Sequence, residues 1–134
     1  MSTTAVGGRI VLDDVFTEGV SDQYVEVDLV DPASGSAIST AAISAITGVL
    51  RSLDTETAIF GGTTPENLLP GSGSRGSYPG TAGRVRVTFT AADMAAQGSR
   101  ELQTRELTLR VTHSGTKVFV CAVQFQVRNL RDVS

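Results

Sequence analysis

A chain of 134 residues is long enough to close one hydrophobic core and too short for two independent ones, so the sequence predicts a single domain over residues 1–134. Its composition, 40% hydrophobic and 19% charged, suits a folded protein; with five Phe and no Trp, the core has to come from Val, Ile, Leu and Ala around a few rings. A net charge of −3 without a long run of either sign argues against nucleic acid as the partner, the single Cys excludes a disulfide framework, and no stretch approaches the roughly 20 apolar residues of a membrane span.

The first residues, MSTTAVGG, lack the basic-then-apolar order of a signal peptide, which predicts a protein made in the cytoplasm. Residues 8–15 (GRIVLDDV) and 24–30 (YVEVDLV) read as strands. The second sets Val25, Val27 and Leu29 on one face and Glu26 and Asp28 on the other, a period of two. The run Asp31-Pro32-Ala33-Ser34-Gly35 closes it as a turn.

Residues 41–53 fit two patterns: Ile43, Ile46, Leu50 and Leu53 stand at helical spacing, while Ile46, Gly48 and Leu50 share one face of a strand. Gly48 and the β-branched residues around it lower helix propensity and decide for a strand. From residue 61 to 83 the chain is rich in Gly, Pro, Ser and Thr and has no periodicity. A loop of that length inside a compact domain predicts an interaction arm or a disordered segment. Leu68, Leu69 and Tyr78 are its few large apolar side chains, each close to a proline, and are expected to anchor the arm on a neighbouring subunit.

Residues 84–90 (RVRVTFT) form another half-buried strand, with Val85, Val87 and Phe89 inward. Residues 91–96 (AADMAA) predict one or two helical turns. Residues 101–113 and 116–128 alternate throughout and, joined at His113-Ser114-Gly115, make a long β-hairpin with Phe119, Cys121, Val123, Phe125 and Val127 on one face. The sum is an all-β fold: an immunoglobulin-like antiparallel β-sandwich of about seven strands, with a small β-barrel as the other architecture that fits the pattern.

Each candidate for chemistry lacks a second member. His113 beside Ser114 suggests a nucleophile pair, but adjacent residues of an extended segment point apart and no G-x-S-x-G elbow is present; an exposed turn histidine is expected. Cys121, on the apolar face, reads as a buried, inert thiol. Asp13, Asp14, Asp28 and Asp31 lack the spacing of a calcium loop and read as surface carboxylates. The glycines of residues 71–76 (GSGSRG) lack the phosphate-loop pattern GxxxxGK[ST] and read as linker. Arg84, Arg86, Arg105 and Arg110 would form a basic stripe if their strands paired; in an acidic chain they are expected to be solvated or subunit-facing. No catalytic, metal or cofactor residue is predicted, and an enzyme is disfavoured.

Three segments carry a family likeness: Leu53-Asp54-Thr55-Glu56-Thr57, Phe89-Thr90-Ala91-Ala92-Asp93-Met94 and Phe125-Gln126-Val127-Arg128-Asn129-Leu130. Their order, a hairpin, an aspartate-containing turn and two long terminal strands over residues 40–130, resembles small virion proteins of tailed bacteriophages with an immunoglobulin-like sandwich, including the N-terminal domain of upper-baseplate proteins. The aromatic residue usual in the first segment is missing. The resemblance implies a non-enzymatic structural role in the neck, tail, baseplate or capsid surface, with other copies of the chain and other virion proteins as partners and no nucleic acid, membrane, cofactor or small-molecule substrate. The alternative is a receptor- or carbohydrate-binding module, for which the chain offers only Tyr24 and Tyr78 as stacking rings.

Overall fold

The computed structural model describes residues 2–5 and 8–130, with only the backbone described for 2–5 and for Asp14. Ten strands follow one another along the chain: β1 (Ser2–Ala5), β2 (Gly8–Thr17), β3 (Tyr24–Leu29), β4 (Ile43–Ser52), β5 (Thr57–Phe60), β6 (Glu66–Asn67), β7 (Gly76–Ser77), β8 (Arg84–Thr88), β9 (Leu102–His113) and β10 (Lys117–Arg128). They form two sheets. The smaller has the order β1-β3-β8-β7; the larger has the order β2-β10-β9-β4-β5, with β6 pairing on the same edge of β4 as β5. Within residues 41–53 the chain is strand β4 (Ile43–Ser52), as expected, preceded by a short 3-10 turn at Thr40–Ala42.

The chain is an all-β sandwich with the expected immunoglobulin-like order. The terminal hairpin β9–β10 lies at the centre of the larger sheet, its strands in unbroken register from Lys117 opposite His113 to Arg128 opposite Leu102. The pairing is not antiparallel throughout. β1 runs parallel to β3, and β2 runs parallel to β10. Alternation along a strand determines which residues face inward but carries no information on the direction of the neighbour, so this feature had no signal in the sequence.

Inward positions of both layers meet in one core. Val25, Val27 and Leu29 of β3 and Val85 and Val87 of β8 are buried against Ile46 and Leu50 of β4, Leu107, Leu109 and Val111 of β9, and Cys121, Val123, Phe125 and Val127 of β10. Three rings join the layers: Phe125 lies 4.9 Å from Phe16 and 5.4 Å from Phe89, centroid to centroid, in tilted pairs that add to plain burial. Opposite Phe125, β2 carries a bulge: Val11 pairs with Gln124 and Val15 with Gln126, so residues 12–14 answer a single residue of β10. Leu12 and Phe16, on either side of Asp13 in this bulged stretch, are both buried.

Residues 90–95 make the short helical turn expected: the Met94 N–H donates to the Thr90 carbonyl (3.3 Å) and the Ala95 N–H to the Ala92 carbonyl (3.2 Å), without extending into a regular helix. The Thr90 N–H donates to Asp93 Oδ2 (2.9 Å) and the Asp93 N–H to Thr90 Oγ1 (3.1 Å), a reciprocal cap at its start.

Candidate protein-interaction face

The two outer surfaces of the sandwich differ in chemistry. On the smaller sheet the antiparallel register puts Glu26 beside Arg86 and Asp28 beside Arg84. Each pair bonds: Arg84 Nε to Asp28 Oδ1 at 2.6 Å, Arg86 Nη2 to Glu26 Oε2 at 3.1 Å. The Arg86 guanidinium also lies 4.3 Å above the Tyr24 ring. Acids and bases of this face neutralise one another within the chain.

The larger sheet presents rows of small and β-branched side chains. Register alignment across β10, β9 and β4 sets Val118 beside Thr112 and Ala45, Val120 beside Arg110 and Thr47, and Ala122 beside Thr108 and Val49. The next row, Val11, Gln124, Glu106 and Arg51, includes β2. Val11, Val118 and Val120 are 66%, 44% and 51% exposed, and Val15 and Leu102 are exposed on the same side. Glu106 Oε2 accepts a hydrogen bond from Gln124 Nε2 (3.0 Å) and lies 3.2 Å from Arg9 Nε in an ion pair. Arg51 and Arg110, both exposed here, form no ion pair among the described residues. Exposed valines, threonines and Ala122 thus surround two cations, Arg110 in the row of Val120 and Arg9 in the row of Ala122, a mixed apolar and charged surface of the kind that contacts other proteins.

The predicted anchors lie elsewhere. The 61–83 segment is tied to both sheets of its own chain, through β6 on β4 and β7 on β8. Leu68 is fully buried, packed over Gly48 of β4, where a Cβ would collide with it, and its N–H donates to the Ile46 carbonyl oxygen (2.8 Å). It has no surface left to offer a neighbour. Leu69 and Tyr78 are half-buried against the same core. The glycines, read in the sequence as flexibility, serve close approach: a Cβ at Gly73 would fall on the Asn67 carbonyl and one at Gly76 on the Leu68 carbonyl.

Arg75 holds this segment down. Its Nε and Nη2 donate to the two oxygens of Asp93, both at 2.9 Å, Nη1 lies 3.2 Å from Glu66, and the guanidinium stands 4.3 Å over Phe60. Burial alone would push the Asp93 carboxyl up, but the Arg75 hydrogen bond and the Thr90 N–H outweigh it and hold the group below its ordinary value. One cation therefore joins the long loop, the larger sheet and the turn after β8.

Two other expectations are corrected. His113 is buried, not an exposed turn residue: it ends β9 on the inward parity of Leu109 and Val111 and meets the Phe119 ring edge-on at 5.9 Å, with Ser114 Oγ 3.1 Å from Nδ1. Arg105 is neither solvated nor subunit-facing. It is wholly buried, donating from Nη2 to the Ala95 carbonyl (2.9 Å) and to Gln103 Oε1 (3.3 Å), while Nε and Nη1 meet no hydrogen-bond acceptor among the described residues. Desolvation lowers its pKa and the negative charge of Asp54 works against that. With Arg105 inside and Arg84 and Arg86 on the other sheet, no basic stripe exists among these arginines.

Cys121 is buried, and burial pushes its thiol up to about 11, as expected for an inert thiol. Asp13 is exposed at the β2 bulge, Asp28 is paired with Arg84, Asp31 lies 3.9 Å from Lys117, and the Asp14 side chain falls outside the described residues. Among the described residues no group of three or more His, Cys, Asp or Glu side chains is placed to hold a metal ion. Tyr24 lies under Arg86 and Tyr78 against the core, so neither ring stands free as a sugar platform. Compared with protein-family models and with curated proteins, the chain matches none.

Proposed function

We propose that this chain is a non-enzymatic structural module whose work is protein–protein contact, and that it serves in the particle of a tailed bacteriophage, made in the host cytoplasm and built into the neck, tail, baseplate or capsid surface. The observation that carries the contact role is the outer face of the larger sheet, where Val118, Val120, Ala122, Thr108, Thr112 and Val49 lie together while the opposite face pairs its own charges. Leaving valines in water forfeits burial worth roughly 25 cal/mol per Å². Covering that face in an assembly recovers it. The phage setting rests on the resemblance of the three segments described above.

The test is composition. Particles purified from cells that express the chain should contain it at a fixed copy number by quantitative mass spectrometry, and a Val120→Lys variant that folds normally should be depleted from them. Wild-type protein that is abundant in the cells and absent from the particles would overturn the reading.

A further inference from the structure

We propose that the cavity at one end of the sandwich, between the turn of residues 31–35 and the β9–β10 hairpin, binds a neutral, ring-sized apolar group carrying one hydroxyl, the phenol class, and holds it through Nε2 of His113. The proposal stands apart from the contact role of the larger sheet's outer face.

The cavity measures about 330 Å³, at the small end of ligand pockets and of a size for one ring with a short substituent. Pro32, Ala33, Val118 and Phe119 give it an apolar lining, which His113 shares. One wall is held before any ligand arrives: the Ala33 N–H donates to Asp31 Oδ1 (2.9 Å), the Asp31 N–H to the Ser36 carbonyl (2.9 Å) and the Gly35 N–H to the Asp31 carbonyl (2.8 Å). The other wall belongs to the hairpin at the centre of the larger sheet.

His113 is the polar group of the lining with bonding capacity left. It is 2% exposed, its Nδ1 lies against Ser114 Oγ and its ring meets Phe119 edge-on. Nε2 has no hydrogen-bond partner among the described residues, yet it is not sealed off: the unpartnered side-chain atoms shut away from solvent there are Arg105 Nε and Nη1 alone. A fixed ring that lines a cavity and keeps one nitrogen within reach of solvent offers that nitrogen to what enters, and a hydrogen bond formed there is made without reorganising the site.

Charge selects a neutral ligand. Apart from His113, the ionisable side chains of the lining are Asp31 and Lys117, and they face one another, Nζ 3.9 Å from Oδ2. An entering carboxylate meets Asp31 and an entering ammonium meets Lys117. A hydroxyl suits His113, because it can donate to Nε2 or accept from it and so serves either tautomer. An aromatic ring suits Phe119, since tilted and offset ring pairs add to plain burial. Two sources present this chemistry, a free phenolic compound and the tyrosine side chain of a partner polypeptide. For the second, β10 has an edge to offer: β2 pairs with it only from Cys121 onward, and residues 117–120 have no strand on that side among the described residues.

Nuclear magnetic resonance titration of the isotope-labelled protein is the experiment, with p-cresol, toluene and a capped Val-Tyr-Val peptide as probes. p-Cresol should shift the amide resonances of Ala33, His113, Val118 and Phe119 and bind with a Kd of about 1 mM. Toluene, the same ring without the hydroxyl, should bind about tenfold more weakly, the loss of one hydrogen bond. His113→Phe keeps a ring and removes the nitrogen, so it should weaken p-cresol about tenfold and leave toluene within about threefold, with a circular dichroism melt reporting on the fold. The contrast between p-cresol and toluene on wild-type protein decides the matter even where that variant fails to fold. No shift up to about 10 mM p-cresol, shifts away from the cavity, equal affinity for p-cresol and toluene, or a folded His113→Phe variant that binds p-cresol as wild type does overturns the proposal. With the cavity upheld, the peptide assigns the source: bound about tenfold tighter than p-cresol, the occupant is a partner's tyrosine on a segment beside residues 117–120; bound no tighter, it is a free phenolic compound.

Discussion

The two outer faces of this sandwich are built on the same backbone plan and finished differently. On the smaller sheet, Asp28 with Arg84 and Glu26 with Arg86 sit side by side across one pair of strands, so every one of those charges has its counter-charge within the monomer. On the larger sheet Val, Thr and Ala stand among Arg9, Glu106, Arg51 and Arg110; Arg9 pairs with Glu106, while the arginines at 51 and 110 have no acid of their own among the described residues. The first face satisfies its own charges; the second leaves two cations without an acid among the described residues.

Both faces depend on the layer between them, and removing it should have the largest effect. Phe125→Ala is expected to cost about 3–5 kcal/mol in chemical denaturation, since its ring touches both Phe16 of β2 and Phe89 beyond β8. A loss under about 1 kcal/mol would mean that the rings do not join the layers. Next comes the loop that reaches from one sheet to the other. Gly76→Ala should lose about 2–3 kcal/mol by the same assay, because the added methyl meets the Leu68 carbonyl and backbone cannot move aside as a side chain can. Gly71→Ala supplies the contrast: no atom lies in the way there, and its positive φ of 86 makes the cost purely conformational, about 1 kcal/mol.

Asp93→Asn should cost about 2 kcal/mol at neutral pH, by removing charge-assisted bonds to a mostly buried arginine. Its pH signature is the sharper check. The folded Asp93 carboxyl lies below its unfolded value, so its contribution is fully present above about pH 4 and is lost as pH falls through the folded value. Urea midpoints measured from neutral pH down to acid should therefore fall less steeply for Asp93→Asn than for wild type. The smallest effect on stability should come from Val120→Lys, within about 0.5 kcal/mol of wild type, since the side chain is half in water already. Its effect on assembly should be large, and the same substitution at Thr88, on the smaller sheet, should leave assembly unchanged when particle incorporation is measured.

The strands were legible because alternation is a local property: β3, β4, β8, β9 and β10 each lie within two residues of where the pattern put them. The same alternation contained the positions of Arg105 and His113, which share the inward parity of Leu107, Leu109 and Val111. Residue type was allowed to overrule parity there, and parity was right. The long segment was misjudged for a different reason. Its composition is that of a flexible linker, but the interactions that order it are non-local: Arg75 finds Asp93 eighteen positions away, and Leu68 fills a gap left by Gly48 on another strand. The interaction face was hidden for the same reason, because a row such as Val120, Arg110 and Thr47 exists only once three strands are in register.

The parallel pairing of β2 with β10 gives the molecule a mechanical character. Gly8 stands beside Cys121 and Thr17 beside Arg128, so the leading end of β2 and the trailing end of β10 lie at opposite ends of their shared ladder. Tension applied between Gly8 and Arg128 slides these strands past one another and loads the ladder's hydrogen bonds together in shear. An antiparallel neighbour would have placed both ends at one edge and let the bonds open singly, like a zipper. Stretched one molecule at a time between Gly8 and Arg128, this domain should resist up to a single abrupt rupture rather than yield gradually.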